Sequence, residues 1–407
     1  MPSTRGALVA VAALLCTAVA VVACDQLVTE APDRGDVFDA PVEGLSPGEA
    51  AAFARGDAEF ARRFAPATGL GPVFNNASCA ACHSGDGRGF LENALHRIGS
   101  ADDDFLRTLG GPQIQDKAIP GAEAEAIPPG VAVSTRLPPP VFGMGLIEAI
   151  PEATILALAD SADRDRDGIS GRPNWVHAGE FVPGREPGGG VGLKLGRFGR
   201  KAQNSSILQQ VAEAYLQDIG ITSDFLPLEN RNPRASVPVE ALDHVADPEI
   251  PGATVLAVAH YVRTLAPPVP GAETSLMNEG AALFTTVKCA SCHVPTLRTG
   301  TSVIPALSNR PARLYSDLLL HDMGDVLADG RPDGSATGRE WRTTPLWGLR
   351  LMRRFLDGRV LLMHDGRAHS IEEAILLHGG EAAPSRDAYT RLSADQKRAL
   401  VAYVESR

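Results

Sequence analysis

Two segments of the chain repeat one five-residue pattern: Cys79-Ala80-Ala81-Cys82-His83 and Cys289-Ala290-Ser291-Cys292-His293. C-x-x-C-H is the attachment pattern of c-type haem. The chemistry sets the spacing: two thiols add to the two vinyl groups of one porphyrin, and the adjacent imidazole ligates iron from the same side. At this chain's Cys and His frequencies one chance match has odds of roughly 1 in 500, so two by chance are negligible. Two other chemistries use C-x-x-C. A four-cysteine zinc site would need both pairs at one ion, yet they stand over 200 residues apart and each is followed by His. Redox-active disulfides are the other alternative outside the cytoplasm. Covalent haem at both motifs is the reading taken forward.

The remaining cysteines, Cys16 and Cys24, lie near the N-terminus. Met1–Arg5 is short and basic, and Gly6–Ala23 is apolar or small, the order of a secretory signal. Val21-Val22-Ala23-Cys24 resembles the bacterial lipoprotein box. The expectation is a signal peptide over 1–23, lipidation of Cys24 and a polar tether over 24–45; a simply cleaved signal or a lone membrane anchor are the alternatives. Lipid chains anchor through buried methylenes, each worth about 0.8 kcal/mol. The mature chain is then exported to the bacterial envelope, faces the periplasm and keeps no free thiol. Beyond this segment no stretch approaches the length of a membrane span. Acidic residues exceed basic ones, 49 to 38, with a net charge of −11 and no Lys/Arg run. That discounts nucleic-acid binding and suits a basic protein partner.

The chain reads as a divergent duplication. Phe74 and Phe284 each stand five residues before the first Cys of a motif. Amphipathic helices, at 254–265 and 397–404, follow long after each motif, and both contain a Tyr-Val pair. A helix before the haem and another closing the module resemble the cytochrome c fold. The expected fold is mainly α, with two cytochrome c-like modules over 46–267 and 268–407, joined at Ala266-Pro267-Pro268-Val269-Pro270-Gly271. Loop-rich insertions around 100–250 enlarge the first. Further helices are expected at 47–64, 151–162, 206–219, 275–287, 370–378 and 393–405.

Several longer segments carry a family resemblance. They include Leu70-Gly71-Pro72-Val73-Phe74-Asn75, Gly85-Asp86-Gly87-Arg88-Gly89, Pro138–Ile150, Asp167–Arg172, Gly196–Ala202, Asp317–Gly324, Glu340–Thr343, Met363–Arg367 and His378–Ala382. With the two haem motifs, these resemble the bacterial di-haem oxidoreductases, a peroxidase-like group. More distantly they resemble di-haem cytochrome c peroxidases and the haem enzymes that mature other proteins. The resemblance runs from about 68 to 406. It implies two haems c, His83 and His293 as proximal iron ligands, hydrogen peroxide as substrate, and electrons from a small cytochrome or cupredoxin. A non-enzymatic electron-transfer lipoprotein and an oxidative modifier of a protein partner are the rival functions.

The resemblance also sorts the distal residues. In the distant peroxidases a His-x-Gly turn precedes a helix ending in a ligand, commonly Met. Here His364-Asp365-Gly366 matches the turn and Ile371–His378 the helix, so His378 takes the ligand place, with Met323 as the competitor. Two imidazoles lower the potential relative to His/Met. For the first haem an open site is preferred, with His96 and Met144 as alternatives. Peroxide cleavage wants an acid/base and a cation or dipole nearby. Gly199–Gln203 resembles a peroxidase stretch that is followed by a glutamine, which nominates Arg200 and Gln210. The family's later glutamate is absent around Gly220–Thr222, so Glu148 is taken as the substitute base. The tryptophan expected near Arg200 is Phe198, which oxidises poorly. Finally, Asp163, Asp165 and Asp167 followed by Gly168 resemble the start of a calcium loop, with Asn174 at position twelve; an acidic surface turn is the alternative.

Overall fold

The computed structural model describes residues 34–83, 85, 87–99, 108–238 and 242–407. The signal segment, Cys24 and residues 25–33 of the tether lie outside these residues, as does Asp86. No helix among the described residues is long and apolar enough to cross a membrane.

Helices form the framework. The ones that matter here are α1 (Pro47–Ala61), α2 (Met144–Ala149), α3 (Ile207–Ala214), α4 (Gly252–Thr264), α5 (Ser275–Thr286), α6 (Ile371–Leu377) and α7 (Ala394–Glu405). Capping boxes open α1 (Ser46 with Glu49) and α7 (Ser393 with Gln396), each satisfying two otherwise orphaned backbone donors. α1 packs on α4, and α5 packs on α7. A glycine sits at each crossing. A Cβ at Gly56 would stand 2.3 Å from the Ala257 carbonyl oxygen and 2.6 Å from Tyr261 Cβ. At Gly280 the matching distances are 2.3 Å to the Ala399 oxygen and 2.5 Å to Tyr403 Cβ. Four residues after each glycine comes a buried phenylalanine, Phe60 or Phe284. Their rings lie 5.3 Å from Tyr261 and 5.5 Å from Tyr403.

The two helix pairs are therefore copies of one device, in a register different from the one the motifs suggest. Phe60, not Phe74, is the counterpart of Phe284. Phe74 instead pairs with Lys117 in a two-residue strand. Phe60 precedes Cys79 by 19 residues and Phe284 precedes Cys289 by five, which hides the match from a fixed-spacing comparison.

Most expected helices form within a few residues of their limits. The span 206–219 forms as α3, extended by a π-helical turn over Tyr215–Ile219. The exception is 151–162, which is helical only over Glu152–Leu156. There Asp160 accepts the amides of Arg164 and Asp165 and turns the chain, the local competition that short polar side chains offer against a helix.

The strands make five small antiparallel sheets among the described residues. In one, β1 (Leu95–Ile98) lies between β2 (Gln113–Ile114) and β3 (Val133–Arg136). In another, β4 (Leu320–Asp322) pairs with β5 (Glu340–Arg342). Strands of two to four residues are too short for alternation to show in sequence. The largest apolar cluster gathers α1 to α4 but also draws in Leu297, Leu314 and Trp347. A second, around α5 to α7, takes in Leu137 from earlier in the chain.

Candidate functional site

Both C-x-x-C-H segments are built alike. Cys79–Cys82 is one helical turn, capped by Ser78, whose hydroxyl accepts the Ala81 amide at 3.1 Å. Cys289–Ser291 is a single 3₁₀ turn. In each, the histidine amide donates to the carbonyl of the first cysteine, at 3.0 and 2.9 Å. The imidazoles are then fixed from outside. His83 Nδ1 lies 2.8 Å from the Pro139 carbonyl oxygen, and His293 Nδ1 lies 2.9 Å from that of Tyr315. A carbonyl only accepts, so Nδ1 carries the hydrogen and Nε2 keeps its lone pair. Burial pushes both histidines down to about 4, so both are neutral at ordinary pH. Phe60 and Phe284 stand 6.1 and 6.5 Å from these rings.

No disulfide joins the four motif cysteines. Burial pushes the thiols of Cys82 and Cys289 up to about 12 and raises Cys292 as well. The two pairs open onto different cavities, so they do not form one four-cysteine site. The first cavity is lined by Cys79, Cys82 and His83 together with Met144, Arg200, Gln210 and Glu213. The second is lined by Cys289, Cys292 and His293 together with Met323, Trp341 and His378. Arg200 lies on the wall of both.

In the second cavity two imidazoles face one another. The ring centroids of His293 and His378 are 6.5 Å apart. His378, at the end of α6, has Nδ1 2.6 Å from the Ala374 carbonyl oxygen, so its Nε2 lone pair is also open. Burial lowers its pKa. A metal–imidazole bond of about 2 Å on each side, with about 1 Å from nitrogen to ring centre, gives roughly this separation. Met323 lines the same wall. Next to it, His321 is buried between two carboxylates, with Nε2 2.8 Å from Asp317 and Nδ1 2.8 Å from Glu381. Burial alone would lower its pKa, but its bonds to Asp317, Cys292 and Glu381 hold it well above the usual value. Trp341 stacks flat on His364, with centroids 3.6 Å apart.

The first cavity holds two acids. Just before α3, Asn204 Nδ2 donates to Gln210 Oε1 at 3.1 Å and to Glu213 Oε2 at 2.8 Å, and on the helix Gln209 Nε2 donates to Glu213 Oε1 at 2.8 Å. Burial raises the Glu213 pKa. Burial also raises Asp218 to about 6, against the hydrogen bond from Gln113 at 2.5 Å. Arg200 and Gln210 share this wall. Glu148 does not line it. Its carboxylate is held by Arg263 at 2.7 Å and accepts the Ile207 amide at 3.2 Å, capping α3. The acid that sequence reasoning missed is Glu213. Its signal was available, because Gln210 and Glu213 are three apart and share one face of a helix. Of the two alternatives for the first haem, Met144 lines the cavity. His96 does not: it sits on β1 with Nδ1 3.1 Å from Thr135 Oγ1.

Asp163, Asp165 and Asp167 offer carboxylate oxygens within 4.8 Å of one another. Asp163 and Asp165 accept the amides of Gly168 and Asp167. Asn174, at position twelve, is engaged elsewhere: it donates to the Lys201 and Asp333 carbonyls at 2.7 and 2.9 Å.

The model of a family described as "di-haem oxidoreductase, putative peroxidase" matches residues 18–102 and 123–407. No curated protein matches the chain. Among solved structures, the chain is similar to the hydrazine synthase of Kuenenia stuttgartiensis, at 14% identity over 93% of this chain and 94% of that one, with a TM-score of 0.41. It is also similar to a MauG-like protein associated with microbial copper homeostasis, at 15% identity over 65% and 87%, with a TM-score of 0.28. Both scores are too low to carry an argument.

Proposed function

The chain belongs to the di-haem oxidoreductase family, and from that premise we propose that it is an exported peroxidase-like enzyme with one covalently attached haem c in each cavity. One observation carries this reading. At both C-x-x-C-H turns a half-buried, neutral imidazole is pinned by its Nδ1 hydrogen, leaving Nε2 open to a cavity whose wall also bears both cysteines. The donor set of two thiols and one neutral imidazole, at the edge of a largely apolar cavity, fits the group. Cys79, Cys82 and His83 would hold the first haem, and Cys289, Cys292 and His293 the second. His378, whose ring stands 6.5 Å from that of His293, would also help to hold the second, with Met323 as its alternative. The two helix pairs then belong to two cytochrome c-like modules.

When bound, haem would supply one-electron chemistry and a place for hydrogen peroxide to react. The chain supplies the rest. Glu213, with its raised pKa, holds or releases a proton at the first cavity, which is the requirement for an acid/base there. Gln210 accepts from Asn204 and stands beside it. Arg200 brings a fixed positive charge, its Nη2 donating to the Leu137 carbonyl at 2.9 Å. Apolar walls keep water low. Electrons would come from a small cytochrome or cupredoxin; a basic one suits the net charge of −11. Removal of residues 1–23 and lipidation of Cys24 would tether the enzyme to a membrane, facing the periplasm.

The test is expression in a host with cytochrome maturation machinery. Two haems per chain that resist acid–acetone extraction, and peroxide-dependent oxidation of a reduced small cytochrome, are expected. A colourless product overturns the haem reading. Two haems without peroxide turnover, even after half-reduction, overturn the enzyme and leave an electron carrier.

A further inference from the structure

Three buried arginines stand at the cavities without an acidic partner among the described residues. Arg88, Arg200 and Arg342 are 7%, 5% and 8% exposed. All their hydrogen bonds go to backbone carbonyls. Arg88 Nη1 donates to Leu361 and Met363 at 2.8 and 2.9 Å. Arg200 donates twice to Leu137, at 3.3 and 2.9 Å. Arg342 donates to Gly199 and Thr343, at 3.0 and 3.4 Å. The buried Nε of Arg88 has no partner. Burial holds Arg88 and Arg342 down at about 10. Burial, with the like charges of Arg88, Arg342 and Arg136, presses Arg200 further down. Two carboxylates act on the cluster only at longer range: Asp365 is bound to Arg367 and Asp317 to His321.

Elsewhere this protein pairs its buried cations. Arg136 and Arg331 meet Asp333, Lys201 meets Asp329, and Arg263 meets Glu148 and Glu186. A buried charge left unpaired is strongly unfavourable, so three together in one place call for anions that the described residues do not supply. Arg88 and Arg342 line the second cavity, and Arg200 lines both.

We propose that Arg88, Arg200 and Arg342 form one cradle for the carboxylate side arms of the haems, with Arg200 shared between the two cavities. This rests on the haem reading above. A guanidinium offers a planar fork of donors that matches a carboxylate, and such charge-assisted bonds are among the strongest a protein makes. Arg88 and Arg342 would serve the haem of the second cavity, and Arg200 the haems of both, coupling them electrostatically. A fixed positive charge beside a haem favours its reduced form, so each arginine holds up the potential of the haem it touches.

The experiment is spectroelectrochemical titration of the holoprotein and its Arg88→Gln, Arg342→Gln, Arg200→Gln and Arg200→Lys variants. Arg200→Gln should lower the midpoints of both haems, by about tenfold in the ratio of reduced to oxidised protein, or about 59 mV for one electron. Arg88→Gln and Arg342→Gln should lower the second haem alone, and Arg200→Lys should restore most of the loss. Unchanged midpoints overturn the proposal. If the variants do not fold, an experimental structure of the wild-type holoprotein decides. Haem carboxylates bonded to at least two of the three guanidinium groups support the cradle, and carboxylates turned to solvent overturn it while leaving the haems in place. A chain that purifies without haem refutes the underlying reading instead.

Discussion

Gly280 lies so close to Ala399 that a Cβ on the glycine would stand 2.3 Å from the alanine's carbonyl oxygen. The same contact recurs between Gly56 and Ala257. Gly280→Ala and Gly56→Ala each set helix propensity, which favours alanine by about 1 kcal/mol, against a backbone collision. Overpacking costs about 1–3 kcal/mol, so a net loss of stability is expected in chemical denaturation. Gly48, on the same helix as Gly56, has nothing within 4 Å of the point where a Cβ would stand, so Gly48→Ala should be neutral or stabilising. A stable Gly280→Ala protein would mean that the α5–α7 crossing is looser than the structure has it.

His378→Met separates the two ligand candidates of the second cavity. With His378 opposite His293, the exchange replaces an imidazole by a thioether, and the midpoint of the second haem should rise. Met323→Leu should leave it in place. The reverse pattern in a redox titration would assign the ligand to Met323.

Some of this was legible in the residues alone, and the reasons differ by element. The C-x-x-C-H turns declare themselves because each pattern is five consecutive residues, read directly off the chain. The helices at 206–219, 275–287 and 393–405 show because they are long enough for periodicity and carry polar caps such as Thr274 and Ser393. The counterpart of Phe284 was misread because the chain between α1 and Cys79 is longer than the chain between α5 and Cys289, and contact, not spacing, identifies Phe60. Glu148 looked available because its partner Arg263 is 115 residues away. The arginine cluster was equally hidden, since Arg88 and Arg342 meet only through tertiary folding.

Glu213→Gln tests which acid serves the first cavity. The amide keeps the size and much of the hydrogen bonding to Asn204 and Gln209 but gives up the transferable proton. Peroxide turnover should fall by about 10²–10⁴-fold with the fold intact. Glu148→Gln should do the opposite. Breaking a buried pair by removing one partner costs about 3–5 kcal/mol, so it should lose stability and retain most of its turnover per folded molecule. Equal turnover in wild type and Glu213→Gln would remove Glu213 from the reaction.

The His321–Glu381 pair sets a pH window for stability. Burial alone would raise Glu381, but bonds from His321 and Ser170 hold it at about 2, below its ordinary 4.5. A depressed carboxyl stabilises above its unfolded value and loses that contribution as pH falls through the folded one. That stabilisation, on the order of 3 kcal/mol, is shared with its partner and lost between about pH 4.5 and 2. His321 is raised well above 6.5. Its contribution is complete below 6.5 and fades as pH rises through the folded value. Melting temperature should therefore be highest between about pH 4.5 and 6.5. The difference between wild type and Glu381→Gln should be largest in that window and shrink toward pH 2. A difference that stays constant from pH 6 to pH 2 would mean that Glu381 is not ionised against His321 in the folded protein.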